Sequence, residues 1–290
     1  MSVFPRSTVP TAARLLLCSV LFTGLGGIGQ ACATSLPRAT PEEEGFSSAG
    51  LAKVDALIQD AVDKGFPGAV LAVVRNGKLV KLTAYGYAKR NDEHGALADP
   101  QPMRTDTLFD LASNTKMYAT TFAMQRLVYE GKVDLAAPVQ RYLPEFVDGP
   151  DDPIKGKAGV TVAQLLHHTS GALANPLYYD RKAMGALFSQ DRRTTYEKLV
   201  QTPLAFPPDT RNVYSDLGFM LLGMIIERVS GQPLEDYVEQ SFYAPLGIRA
   251  LYAPLRGNAR LHGFKPQDFA ATETHGNTRD GSIDFENIRT

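Results

Sequence analysis

Cysteine is nearly absent: the 290 residues contain two, Cys18 and Cys32, both near the N-terminus. Small residues at Ala31-Cys32-Ala33 place a cleavage position just beyond them. The processed chain is therefore expected to hold no disulfide, no thiol nucleophile and no cysteine metal site. Net charge is nearly absent too, at −1. That leaves no basic footprint for nucleic acid and no polybasic patch for anionic lipid. Three motifs are also missing. The sequence has no G-x-S-x-G of an α/β-hydrolase elbow, no G-x-x-x-x-G-K to cradle phosphate and no H-E-x-x-H to hold zinc. No metal and no other cofactor is implied.

The remaining composition, 44% hydrophobic and 21% charged, is that of a globular protein rather than a disordered or membrane-embedded one. This length accommodates one large domain or two interleaved ones, with a substantial core. Residues 1–33 read as an export leader. Arg6 and Arg14 precede an apolar run from Leu15 to Gly29, and the A-x-A pattern follows. The run is shorter than the about 20 residues that span a membrane. An uncleaved inner-membrane anchor is the alternative. Lipidation at Cys32 is another, although Gly29 and Gln30 fit a lipobox poorly. The expected location is the periplasm or cell envelope.

Residues 34–46 are polar and contain prolines, as a linker would. Ser47 is placed to cap a helix in which Leu51, Val54, Leu57, Ile58, Ala61 and Val62 follow the helical period, and Gly65 ends it. Ala69–Arg75 and Lys78–Tyr85 flank Asn76-Gly77, the dipeptide of a two-residue hairpin. The first run is almost continuously apolar, so both its faces are expected to be covered. Residues 88–106 are polar, hold two prolines and read as a loop. From Thr107 the pattern turns helical. Thr115–Glu130 predicts a buried helix stopped by Gly131. Thr161-Val162-Ala163-Gln164 is a capping box opening a helix through His168. Asp216–Val229 predicts a second apolar helix, and Pro233 the first turn of another. After Pro245 the periodicity fades. The expected class is α/β (α+β). Residues 47–106 form an antiparallel sheet with flanking helix, 107–244 a mostly helical region, and 245–290 an incomplete return towards the sheet.

One serine in the chain, Ser113, has a lysine three residues on, Lys116. A serine hydroxyl is a poor nucleophile until a base takes its proton. At a helix start, positions i and i+3 share a face, and unpaired N–H groups favour an oxyanion. The plain alternative is a capping serine with a surface lysine one turn on. Against it, the pair lies between Leu108-Phe109-Asp110-Leu111-Ala112 and an apolar helix, where a lysine is costly without a role. A second candidate group is Tyr214-Ser215-Asp216. Its tyrosine could relay a proton, and its plain alternative is a packed tyrosine with Ser215 or Asp216 as helix cap. Tyr178-Tyr179-Asp180 has the same spacing, but Pro207-Pro208-Asp209-Thr210 before Tyr214 and an apolar helix after it favour the later one. His167 and His168 read as structural. Tyr178 and Tyr179 fit a cleft wall or a core equally well.

These segments resemble a known family. Phe109-Asp110-Leu111-Ala112-Ser113-Asn114-Thr115-Lys116 is similar to the first motif of serine β-lactamase-like proteins, the β-lactamase/transpeptidase-like fold. Val213–Gly223 resembles the second motif of the branch shared by class C β-lactamases and D-alanyl-D-alanine peptidases. Leu165-Leu166-His167-His168-Thr169-Ser170-Gly171 is typical of that branch. Ser113–Thr120, Ser189-Gln190-Asp191 and Gly276–Gly281 resemble penicillin-binding proteins of the 4B type, D-alanyl-D-alanine carboxypeptidases. The resemblance implies a serine hydrolase that binds a peptidoglycan peptide or a β-lactam. Ser113 would be the acylated nucleophile, Lys116 its base partner, Tyr214 the proton relay and Asp216 a substrate-binding side chain.

Two departures stand out. Much of the family has asparagine where this chain has Asp216. A carboxylate beside Lys116 is expected to hold the lysine charged, which favours Tyr214 as the final base. The third family motif, K-T-G or H-x-G, is absent: His262-Gly263 and His275-Gly276 lack the intervening residue. Thr290 also falls before the family's last strands, so a truncated chain with an unpaired strand edge is expected. The implied function is a serine-type D-alanyl-D-alanine carboxypeptidase. A β-lactamase or esterase on the same site, and a non-catalytic binding module for cell-wall peptide, are the alternatives.

Overall fold

The computed structural model describes residues 36–92, 95–248, 250, 252 and 264–271. Helix α1 (Ser48–Asp63) starts where its cap predicts, with the Ser47 hydroxyl accepting the Gly50 amide. Strands β1 (Gly68–Arg75) and β2 (Lys78–Asp92) form the expected hairpin. Asn76 and Gly77 have φ of 51° and 72°, the positive angles that a two-residue turn between right-twisted strands requires.

Strand β3 (Gly95–Pro102) corrects the reading of 88–106 as a loop. It pairs antiparallel with the far end of β2, giving a sheet of order β1-β2-β3. Pro100 and Pro102 and the polar composition concealed it. An edge strand tolerates proline because its outer amides have no ladder partner. β1 also differs from expectation. Ala72 and Val74 are exposed, and among the described residues β1 pairs only with β2. Among the described residues its apolar run is therefore not covered on both faces. The segment 264–271 runs beside Leu108, which donates to Asp268 O and accepts from the Ala270 amide, both at 2.8 Å.

The core lies in the helical region. Its helices are α2 (Phe122–Tyr129), α3 (Val162–Leu166), α4 (Arg181–Met184), α5 (Arg192–Gln201), α6 (Asp216–Ser230) and α7 (Leu234–Val238). α6 is apolar on most faces and runs through the middle, with Leu217, Leu221, Leu222, Ile225 and Ile226 buried. Such an all-round apolar helix must be enclosed. Ala123 and Leu127 of α2, Val162 and Leu165 of α3, Leu199 of α5 and Val238 of α7 belong to the same cluster. The capping box at Thr161 and Gln164 forms as predicted.

The helix expected over Thr115–Glu130 is α-helical only in its second half. Ala112–Asn114 is a tight 3₁₀ turn, and Lys116–Thr121 is a π-helical turn that leads into α2. Two buried charges among the described residues, Glu44 and Lys157, carry no flag in the sequence. Lys157 is fully buried and donates to Val147 O at 3.1 Å and Val200 O at 3.0 Å, with an Asp152 carboxylate oxygen 3.7 Å away. Burial pulls its pKa down. Among the described residues no helix is long and apolar enough to cross a membrane.

Placing the core around α6 predicts unequal costs for the same substitution. Leu221→Ala, at a fully buried site, should cost about 2–5 kcal/mol. Leu57→Ala on α1, where the side chain is 69% exposed, should stay within about 0.5 kcal/mol. Urea denaturation of both variants measures this, and equal losses would refute the assignment.

Candidate active site

The site begins at a strained turn. Ala112 has φ of 44°, a left-handed conformation uncommon for a residue with a Cβ. The Asp110 carboxylate holds it by accepting the Ala112 amide at 2.7 Å. This turn leaves Ser113 exposed at the mouth of the helix that follows. Lys116 is the first residue of the π-helical turn, and widened turns of this kind recur at functional sites. Its Nζ reaches to 3.4 Å from Ser113 Oγ. That is longer than a good hydrogen bond, as is common before substrate tightens a site.

The second half comes from the start of α6. Ser215 is its N-cap, accepting the Gly218 amide at 2.9 Å and donating to Leu173 O at 2.7 Å. With Ser215 occupied as the cap, Asp216 and Tyr214 on either side are directed elsewhere. Asp216 Oδ1 lies 2.6 Å from Lys116 Nζ. A carboxylate in the first turn of a helix also suits the positive end of its dipole. Lys116 Nζ stands 4.7 Å from the centroid of the Tyr214 ring and 5.8 Å from that of Phe219, both cation–π distances. All four residues singled out from the sequence therefore meet in one place.

Three influences compete at Lys116. Burial, the largest, pulls its pKa down, since the side chain is only 16% exposed. The hydrogen bonds and charges of Asp216 and Tyr214 push it up, and their sum prevails. Lys116 is thus held as an ammonium, which can stabilise negative charge but has no lone pair to accept the Ser113 proton.

The loop 167–174 forms the third wall. His167 O accepts from Asn212 Nδ2 at 2.9 Å, and the Asp216 amide donates to Ala174 O at 2.7 Å. Gly171 is essential to this seat. Its φ is 79°, and a Cβ there would come within 2.2 Å of Phe206 O. His168 enters the site, its ring 4.6 Å from that of Tyr214. By sequence alone it reads as structural. Its place in the Leu165–Gly171 segment was the one available signal. Tyr178 is buried with its hydroxyl 2.7 Å from Thr202 Oγ1, so it belongs to the core rather than a cleft. His262, Gly263, His275 and Gly276 lie outside the described residues.

An exposed serine with a lysine one turn on, faced by a tyrosine and a carboxylate from a second helix start, defines a serine hydrolase of the acyl-transfer kind. The sequence pattern of the Beta-lactamase family matches residues 54–263, so the chain belongs to that family. A protein of Salmonella typhi named "Putative D-alanyl-D-alanine carboxypeptidase" is 46% identical over 256 residues, covering 88% of this chain and 58% of that protein. The chain therefore spans less than two thirds of the length of the curated relatives it matches. A penicillin-binding protein homologue from Caulobacter crescentus has a similar structure, with a TM-score of 0.51 and 25% identity over 69% of this chain and 49% of that one. EstCE1, a hydrolase with promiscuous acyltransferase activity, has a TM-score of 0.56 and 30% identity over 69% of this chain and 52% of its own.

The Lys116–Asp216 pair makes a prediction with a definite sign. Lys116 is raised above its ordinary 10.5. Its contribution to stability is therefore full below that value and lost as pH rises through the folded pKa. Asp216→Asn removes the main upward influence and leaves burial in place, so the pKa should fall. Lysine side-chain NMR titration of both proteins reads this directly. An unchanged pKa would show that Asp216 does not hold the charge.

Proposed function

We propose that this chain is a serine-type D-alanyl-D-alanine carboxypeptidase acting on peptidoglycan stem peptides through an acyl-enzyme on Ser113. The observation that carries the reading is Lys116, set between Ser113 Oγ and the Asp216 carboxylate beneath the Tyr214 ring. In the proposed cycle the Tyr214 oxygen, steadied by the neighbouring Lys116 ammonium, is the base that takes the Ser113 proton. Ser113 Oγ bonds to the penultimate D-alanine carbonyl. The oxyanion faces the Ser113 backbone amide, since the amides of Ala112 and Asn114 already donate to the Asp110 carboxylate and to Leu111 O. Its collapse breaks the peptide bond, and Tyr214 returns the proton to the departing amine. Water then attacks the ester, giving a proton to Tyr214 that passes back to Ser113 Oγ. Asp216 keeps Lys116 charged and contacts the substrate amide. The names of the relatives support this substrate class. The export-leader pattern read in residues 1–33 would, if it acts as one, place the chain in the envelope, where peptidoglycan lies.

A second reading is an esterase on the same machinery. Phe109, Leu111, Met117 and Tyr118 are all exposed within five residues of Ser113. An apolar collar beside a nucleophile suits an apolar acyl group.

Intact mass with and without a penicillin tests the nucleophile. One adduct is expected per chain, and none in Ser113→Ala, which has no Oγ to acylate. An adduct that survives in Ser113→Ala would sink the assignment of Ser113. Release of D-alanine from a D-Ala-D-Ala peptide supports the carboxypeptidase. Turnover of apolar p-nitrophenyl esters without that release would favour the esterase.

A further inference from the structure

His168 is built into the site more tightly than a packing residue requires. It follows α3 with φ of 59°, a conformation few non-glycine residues adopt. That backbone lets the residue grip the next turn at two points. Its carbonyl accepts the Val213 amide at 2.9 Å, and its Nδ1 accepts the Ser215 amide at 3.0 Å. Between those two bonds lies Tyr214. The imidazole then stands 4.6 Å from the Tyr214 ring and 5.2 Å from the Phe219 ring. These are the two aromatic rings that face the Lys116 ammonium.

We infer that neutral His168 is a positioning residue for the proposed reaction: its Nδ1 holds the Ser215 amide and its ring seats Tyr214, so that Tyr214 and Asp216 face Lys116. The inference rests on the roles proposed for Ser113 and Tyr214. It goes beyond them by naming the group that keeps Tyr214 in place. A ring nitrogen that accepts an amide carries no proton, so the proton of the neutral ring is on Nε2. Protonation at Nδ1 would replace an acceptor with a donor facing an N–H. It would also set a second cation near Lys116.

The groups facing His168 are Lys116 on the π-helical turn, Tyr214 before α6 and Asp216 within it. Burial pulls the imidazole pKa down first, Lys116 adds to this, and Asp216 opposes it, leaving it below 6.5. A group with a depressed folded pKa favours the fold above its unfolded pKa, and that contribution is lost as pH falls. The same protonation should disarm the site on the acid side.

The test uses the full chain and measures the rate of penicillin acylation at Ser113 by intact mass across pH. His168→Phe keeps a ring against Tyr214 and removes the acceptor. Its rate should fall about 10–100-fold, the scale expected when a reacting group is misplaced by about 1 Å. His168→Asn offers an amide oxygen near the Nδ1 position and tolerates positive φ. It should recover most of that loss, and its acid limb should flatten because asparagine does not titrate. Circular dichroism checks that each variant folds. If His168→Phe does not fold, the pH profile of His168→Asn decides. Wild-type-like acylation in His168→Phe, or an unaltered acid limb in His168→Asn, overturns this inference alone. Absence of any Ser113 adduct on the wild-type chain overturns the proposed function and this inference with it.

Discussion

The contact on which the rest of the site depends is the 2.6 Å pair between Lys116 and Asp216. It joins two segments that would otherwise have no reason to meet at their polar ends. Lys116 opens the path into α2, and Asp216 opens α6. Behind them the two helices pack through Ala119, Ala123, Leu217 and Leu221 in one buried cluster. The apolar contacts set the approach of the helices, and the ion pair sets what lies at their mouths. A lysine this buried is tolerable only with its charge answered. Asp216 answers it, and in doing so changes what the lysine can do. An ammonium next to Ser113 is an electrostatic partner, which passes the proton-accepting role to another group.

The contrast with Lys157 shows how environment assigns different properties to one residue type. Lys157 is fully enclosed and donates to two backbone carbonyls. Burial prevails there and its pKa falls. At Lys116 the carboxylate and the tyrosine prevail and the pKa rises. The first lysine ties the end of α5 to the 147–157 loop, whereas the second faces an exposed hydroxyl. The loop 167–174 sits between these two regions. It meets the Phe206 carbonyl through Gly171 and the start of α6 through His168, Leu173 and Ala174. Tyr214 and Asp216 are therefore presented by a mould of backbone hydrogen bonds rather than by a free loop, which keeps their geometry narrow.

Much of the fold could be read from short stretches. The Asn76-Gly77 turn was legible because positive φ at two successive positions restricts the residues that fit. The caps at Ser47 and Thr161 were legible because a side-chain oxygen three residues before an unpaired amide satisfies it. Strand β3 was not, since its pairing is supplied by β2 and its own sequence carries no apolar alternation. The π-helical turn at Lys116–Thr121 was not legible either. An apolar run looks the same whether the helix winds tightly or loosely, and neighbouring packing decides which.

The site divides along the same line. The sequence by itself determined that Ser113 and Lys116 would be neighbours, that Ser215 could cap α6 and that an apolar α6 would be buried. Each of these depends on residues within a few positions of one another. The meeting of Lys116 with Asp216, 100 residues apart, was expected from the family resemblance and not from any local pattern, and only the tertiary structure decided its geometry and that His168 holds Ser215 across 47 residues. Such contacts are set by which helix faces pack and how loops seat against one another. No local period records that.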